Sequence, residues 1–228
     1  MRPWLTLTHA GADFVTETAE VDLAQQTLAS QDDASLAKVS RDALHERRGK
    51  GSVTGLFPVL HVDGTPIHES LAICEWANEA YPEASLYPES PLLRAQARAI
   101  SSEMVGGFAN LRAQMSCHLF GRVPDFSPNA KARLEIARVF ELWSEALERS
   151  GGPFLFGRFG IADAMFYPVR TRLQTYGVPI LAQLEPYVRA LDALPAVRAL
   201  HERARQAPTI PVYDSSLRSL GGDPVAAL

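Results

Sequence analysis

Glu69 and Ser70 stand side by side where an apolar helical pattern begins, with Ile73, Trp76, Ala77 and Ala80 following at helical spacing. A helix start leaves backbone N–H groups without partners, and a serine hydroxyl adds another donor. Such a site can hold a carboxylate, and a neighbouring glutamate can take an ammonium group through a charge-assisted hydrogen bond. The same pair is also ordinary helix-start composition, because Ser and acidic residues are favoured there.

Other residues offer weaker chemistry. Cys117-His118 is a tempting nucleophile–base pair. Adjacent helical side chains point about 100° apart, however, so they do not readily pair. Cys74 falls one turn past Ser70 and reads as core; His61 and His68 flank a turn and read as surface or packing groups. The two cysteines are far apart and have no zinc-type spacing, so neither a structural disulfide nor a metal site is expected.

These residues must be positioned by the elements around them. Arg2 to Ala10 reads as a short helix stopped by Gly11, and Phe14 to Leu23 alternates as a strand does. Residues 24 to 50 are polar and read as helical or mobile, with His45 to Lys50 a short solvated basic loop. Phe57 to Val62 and Pro66 to His68 are strand signals around the turn pair Asp63-Gly64. Glu69-Ser70 then opens a helix to about Ala80.

The composition changes after Leu86-Tyr87-Pro88-Glu89-Ser90-Pro91, a proline-marked linker. Beyond it Leu93, Ala97, Ile100, Met104, Phe108, Leu111 and Met115 form an amphipathic stripe that Gly106-Gly107 can bend. Ser127-Pro128 predicts the cap and first turn of the next helix, and Gly151 its end. Helices are expected at about 162–176, 180–193 and 195–206, then an extended proline-rich tail. The expected divisions are 1–86 (α/β), 87–91 (linker), 92–212 (all-helical) and 213–228 (tail).

Net charge is −4, from 22 basic and 26 acidic residues, which argues against a concentrated nucleic-acid-binding surface. No apolar run is long enough for a membrane span and no signal-peptide core is visible, so a cytoplasmic protein is expected.

Gly55-Leu56-Phe57-Pro58-Val59-Leu60, Asp63-Gly64 and Ile67-His68-Glu69-Ser70-Leu71-Ala72-Ile73 together resemble the N-terminal domain of the cytosolic, bacterial-type glutathione S-transferase family. Phe154 to Ala164, with Gly160-Ile161-Ala162-Asp163, resembles the folding motif at the start of that family's core helix, and Arg2-Pro3-Trp4-Leu5 its first helix. The resemblance covers roughly residues 2 to 210. It implies a thioredoxin-like α/β half followed by a helical bundle, glutathione as cosubstrate without metal, and a cytoplasmic homodimer. It implies a cis bond at Phe57-Pro58, with the Phe57 backbone pairing with the cysteinyl amide of glutathione. Ser70 and Glu69 would hold the γ-glutamyl carboxylate and α-ammonium groups. Met104, Phe108, Leu111 and Met115 are candidates for an apolar electrophile pocket, with plain helical core as the competing reading. Gly160 and Asp163 would serve folding, with half of a capping box missing because glycine offers no side-chain acceptor.

The chain also departs from the family. It begins inside the first helix, so the first strand and the thiol-activating residue have no counterpart; the expectation is a longer natural chain, or alternatively a remodelled N-terminal half. Leu56 stands where many members carry lysine, with Arg47, Arg48 or Lys50 as possible substitutes. The expected activity is conjugation of glutathione to a small hydrophobic electrophile. A glutathione-dependent isomerase of the maleylacetoacetate type and a non-catalytic binding protein are the alternatives.

Overall fold

In the computed structural model, residues 1–18, 42 and 44–227 are described. Helix α1 spans Arg2–His9 with Pro3 in its first turn, and it buries Leu5, Thr6 and Leu7. Gly11 at φ 70° turns the chain out of it.

Residues 12–18 form no strand, contrary to the alternation there. They lie instead between two helices. Thr16 accepts from the Trp4 indole at 3.1 Å, and its carbonyl accepts from Arg203 at 3.1 Å. Alternation alone does not make a strand when no partner strand runs beside it. The rest of that expected strand, and most of residues 24 to 50, lie outside the described residues. Residues 44–49 are helical, so the basic run belongs to a helix rather than a loop.

Strands β1 (Val59–Val62) and β2 (Thr65–His68) pair antiparallel in a two-stranded sheet among the described residues. Asp63 and Gly64 take φ of 49° and 78°, the positive values that a two-residue hairpin turn demands. Helix α2 (Ser70–Ala80) follows directly, burying Ile73, Cys74 and Ala77 against α1. The linker passes through a 3-10 turn at Pro82–Ala84 and reaches α3 (Pro91–Gly106), capped by Ser90.

The stripe that Gly106-Gly107 was expected to interrupt or bend is in fact divided there into two helices. Gly107 ends α3, and α4 covers Ala109–Gln114. A Cβ on Gly107 would lie 2.7 Å from the Glu103 carbonyl oxygen, so the break needs glycine. Phe108, at φ 62°, starts the new direction, and Glu135 caps α4 from a neighbouring helix. That neighbour is α5 (Ala130–Ser150). Its cap is Asn129, which accepts from Ala132 at 3.0 Å, rather than the expected Ser127.

Helix α6 (Ile161–Thr175) is the centre of the molecule, with almost every residue buried. It packs on α1, α2 and α3. Trp143 of α5 meets Phe166 edge-on, and Phe166 meets Phe108. Helices α7 (Glu185–Ala193), α8 (Pro195–Gln206) and α9 (Pro211–Ser219) complete the bundle. Residues 211–219 are therefore helical where an extended tail was expected. Proline is tolerated in a first turn, and buried Leu217 gives this helix an anchored face. The architecture is a small α/β unit followed by an all-helical unit, as the resemblance implies. No helix among the described residues is long and apolar enough to cross a membrane.

Candidate functional site

The hairpin register decides which residues meet. Val59 pairs with His68 at the open end of the ladder. The next residues outward are Pro58 on one strand and Glu69 on the other. Phe57-Pro58 and Glu69-Ser70 therefore emerge at the same end, and the Phe57–Pro58 bond is cis. Leu56 and Phe57 are exposed. The Leu56 N–H donates to the Thr54 hydroxyl and its carbonyl accepts from Ser52, so of the two it is Phe57 whose backbone is left to a partner.

Glu69 has φ 74° and ψ 134°, a conformation that non-glycine residues rarely adopt. It turns the carboxylate back over the helix start, where Oε2 accepts from Leu71 N at 3.0 Å. Ser70 is only 7% exposed, and its hydroxyl makes no hydrogen bond among the described residues. Beneath them the Thr6 hydroxyl lies 3.2 Å from Cys74 Sγ and ties α1 to α2. Burial pushes the Cys74 thiol up to about 11, which suits a structural group and not a nucleophile.

Arg47 and Arg48 donate to the carbonyls of Gly55 and Val53, at 3.2 and 3.1 Å, on the segment leading to Leu56. Lys50 pairs with Glu46 at 2.6 Å.

Close to Glu69 lies a group that sequence reasoning missed. Arg2 Nε donates to the Met165 carbonyl at 2.9 Å. Arg172 Nε donates to the Met115 carbonyl at 2.7 Å, and its Nη1 to Pro168 at 3.0 Å. Arg112 donates to the carbonyls of Met104 and Val105. Met165, Pro168 and Arg172 follow one another along α6 at turn spacing, so these bonds gather the guanidinium groups at one place. Burial lowers Arg2 to about 10, helped by the charges of Arg112 and Arg172. The available signal was an arginine in a helix apolar on nearly every side. The clustering itself joins positions far apart in sequence.

The four pocket candidates are all buried: Met104, Leu111 and Met115 are wholly inaccessible and Phe108 is 6% exposed. Their side chains build the core. What Met104 and Met115 present to the arginines is a backbone carbonyl.

Cys117 and His118 turn to different partners. Cys117 Sγ lies 3.2 Å from the Thr171 hydroxyl, while His118 Nδ1 lies 3.9 Å from Asp214. They do not form a catalytic pair.

Asp163 accepts from Gly160 N at 2.9 Å and from Leu155 N at 3.1 Å. It thus ties the loop before α6 to the helix start. Burial outweighs those bonds and raises its carboxyl to about 7. Tyr187 lies beside it, and burial and the Asp163 charge hold that phenol well above its ordinary value.

Residues 1–80 match the family model for the glutathione S-transferase N-terminal domain, and residues 94–203 the one for its C-terminal domain. The chain belongs to the glutathione S-transferase family. Among curated relatives, a probable maleylacetoacetate isomerase of Vibrio cholerae is 30% identical over 148 residues, 60% of this chain and 68% of that protein. One of Caenorhabditis elegans, with the same description, is 46% identical over 54 residues, 24% of this chain and a quarter (25%) of that protein's length. A glutathione transferase homologue from Burkholderia, solved with bound glutathione, superposes with a TM-score of 0.63 at 22% identity, covering 90% of this chain and 91% of that one. At that identity the likeness is one of fold. The family matches stop and resume on either side of the proline-marked linker, where the chain changes from α/β to helical. Among the described residues no group of His, Cys, Asp or Glu is arranged to hold a metal.

Proposed function

We propose that this transferase-family chain binds glutathione at the open end of its hairpin and directs the thiolate onto a small electrophile. The observation that carries this reading is the register Val59↔His68, which brings Phe57-Pro58 and Glu69-Ser70 to one place. Glutathione carries an α-ammonium group, two carboxylates and amides. The exposed backbone of Phe57 pairs with the cysteinyl amide as an added strand would. The Ser70 hydroxyl and the free N–H groups of the α2 start hold the γ-glutamyl carboxylate. Glu69 takes the ammonium group. The thiol gives up its proton, sulfur bonds to the electrophilic carbon, and the leaving group departs with the broken bond's electrons. The working protein is a cytoplasmic homodimer.

A second reading, glutathione-dependent isomerisation, is favoured by the description of the Vibrio cholerae relative as a probable maleylacetoacetate isomerase. It differs in the fate of the cosubstrate, because an isomerase returns glutathione unchanged.

Calorimetric titration with glutathione tests the site. Wild-type protein should bind. Ser70→Ala and Glu69→Gly should each bind about tenfold more weakly or worse, since a hydrogen bond to a charged group is worth about 1.5–3 kcal/mol. Glycine suits the φ of 74° at residue 69, so Glu69→Gly should keep its thermal stability while losing affinity. No binding by the wild type overturns the proposal. Chromatography of reaction mixtures separates the readings: conjugate marks a transferase and recovered glutathione an isomerase. Binding without turnover marks a non-catalytic member.

A further inference from the structure

Three guanidinium groups meet at the contact between α1 and the helical unit, and no carboxylate among the described residues is bonded to any of them. Arg2, Arg112 and Arg172 form no ion pair within 4 Å among the described residues. Each is instead fixed by backbone carbonyls, on α6 for Arg2, on the ends of α3 and α4 for Arg112 and Arg172. Carbonyls hold the planes in place but carry no full charge. The Nη atoms of Arg2, Nη1 of Arg112 and Nη2 of Arg172 have no acceptor among the described residues. Arg112 Nε is buried and has no partner among the described residues.

The nearest acids do not neutralise the group. Glu135 spends its carboxylate on Asn110 and on the backbone N–H groups of Asn110 and Leu111. Glu69 spends one oxygen on Leu71 and stands within electrostatic reach of Arg2 and Arg112 without bonding either. Gathering like charges in a half-buried place is unfavourable unless an anion completes it. Guanidinium forks match a carboxylate in shape as well as charge.

We propose that Arg2, Arg112 and Arg172 form a subsite for a carboxylate on the second substrate, so that this protein acts on acidic electrophiles rather than purely apolar ones. The inference rests on the glutathione reading above: Glu69 joins the two sites, with its helix-start face on glutathione and the arginines beyond it. It also agrees with the burial of Met104, Leu111 and Met115, which leaves those apolar side chains unavailable to line a pocket.

Calorimetry with 3-nitrobenzoate and its neutral isostere 3-nitrobenzamide tests the subsite without requiring turnover. Wild-type protein should bind the benzoate at least tenfold more tightly than the benzamide, both alone and with saturating glutathione. Arg172→Met and Arg112→Met should reduce that preference at least fivefold, and Arg172→Lys should keep part of it. Equal binding of the two probes, or binding of neither, overturns the proposal with no variant needed. Benzoate that binds but is displaced by glutathione also overturns it, because the arginines would then serve a glutathione carboxylate. Failure of glutathione itself to bind, with benzoate preference intact, would sink the cosubstrate reading and leave an anion site standing.

Discussion

The carbonyl oxygen of Leu86 lies 2.4 Å from where a Cβ on Gly160 would stand, and it accepts from Ile161 N at 3.1 Å. The linker between the two units thus rests directly on the first turn of the central helix. This contact explains why the cap of α6 lacks the usual hydroxyl. A side chain there would collide with backbone, which cannot swing aside as a flexible side chain can.

Gly160→Ser should therefore destabilise the protein by about 1–3 kcal/mol, even though serine is among the best helix caps in isolation. Urea unfolding of the variant beside the wild type measures this. An unchanged or raised midpoint would show that the linker yields more easily than its hydrogen bond to Ile161 implies.

Asp163 gives the protein a pH signature. Burial raises its carboxyl from 3.8 to about 7, so between those values the folded state binds more protons than the unfolded state. The stability this group contributes is full below the unfolded value and declines as pH rises towards 7. Asp163→Asn does not titrate and leaves one of the two backbone donors unmatched, at about 1–3 kcal/mol. Its cost relative to wild type should be largest near pH 3.5, partly lost by pH 5 and smallest at pH 8, each read from unfolding midpoints. A cost that grows with pH would mean that the bonds from Gly160 and Leu155 outweigh burial.

Glu135 has the opposite sign. Burial opposes its ionisation, but the Asn110 side chain and the N–H groups of Leu111 and Asn110 win, holding the carboxyl below its ordinary value of 4.5. Its contribution is present above that value and is lost as pH falls through the folded one. Glu135→Gln should cost about 1 kcal/mol at pH 7, the usual worth of a helix cap, and the difference should vanish in acid. Amide hydrogen exchange at Asn110 and Leu111 should rise in the variant while the α6 amides stay protected. Faster exchange throughout would show that the residue supports the whole bundle and not one helix start.

Local pattern determined a good deal here. Asp63-Gly64 between two apolar runs dictates a hairpin, and the ladder length follows from it. Glu69-Ser70 before an apolar helical stripe dictates the α2 start, and two prolines near Pro88 mark the change from α/β to helical. Each depends on backbone preferences within a few residues, which sequence states directly.

Tertiary structure decided what those preferences leave open. Phe14 to Thr18 alternates like a strand, yet with no strand beside it among the described residues the chain binds Trp4 and Arg203 instead. In the stripe from Leu93 to Met115 the Gly106-Gly107 pair marks an interruption, but only the close approach at Gly107 and the reach of Glu135 make it a full division into two helices. Ser127 looks like a cap, and Asn129 takes the role because the helix begins two residues later. The arginine cluster had no local signature beyond an arginine in a largely buried helix, which says nothing of its partners. Arg2, Arg112 and Arg172 come together only because carbonyls within α6 and at the ends of α3 and α4 hold them, and long-range charge has no sequence period to announce it.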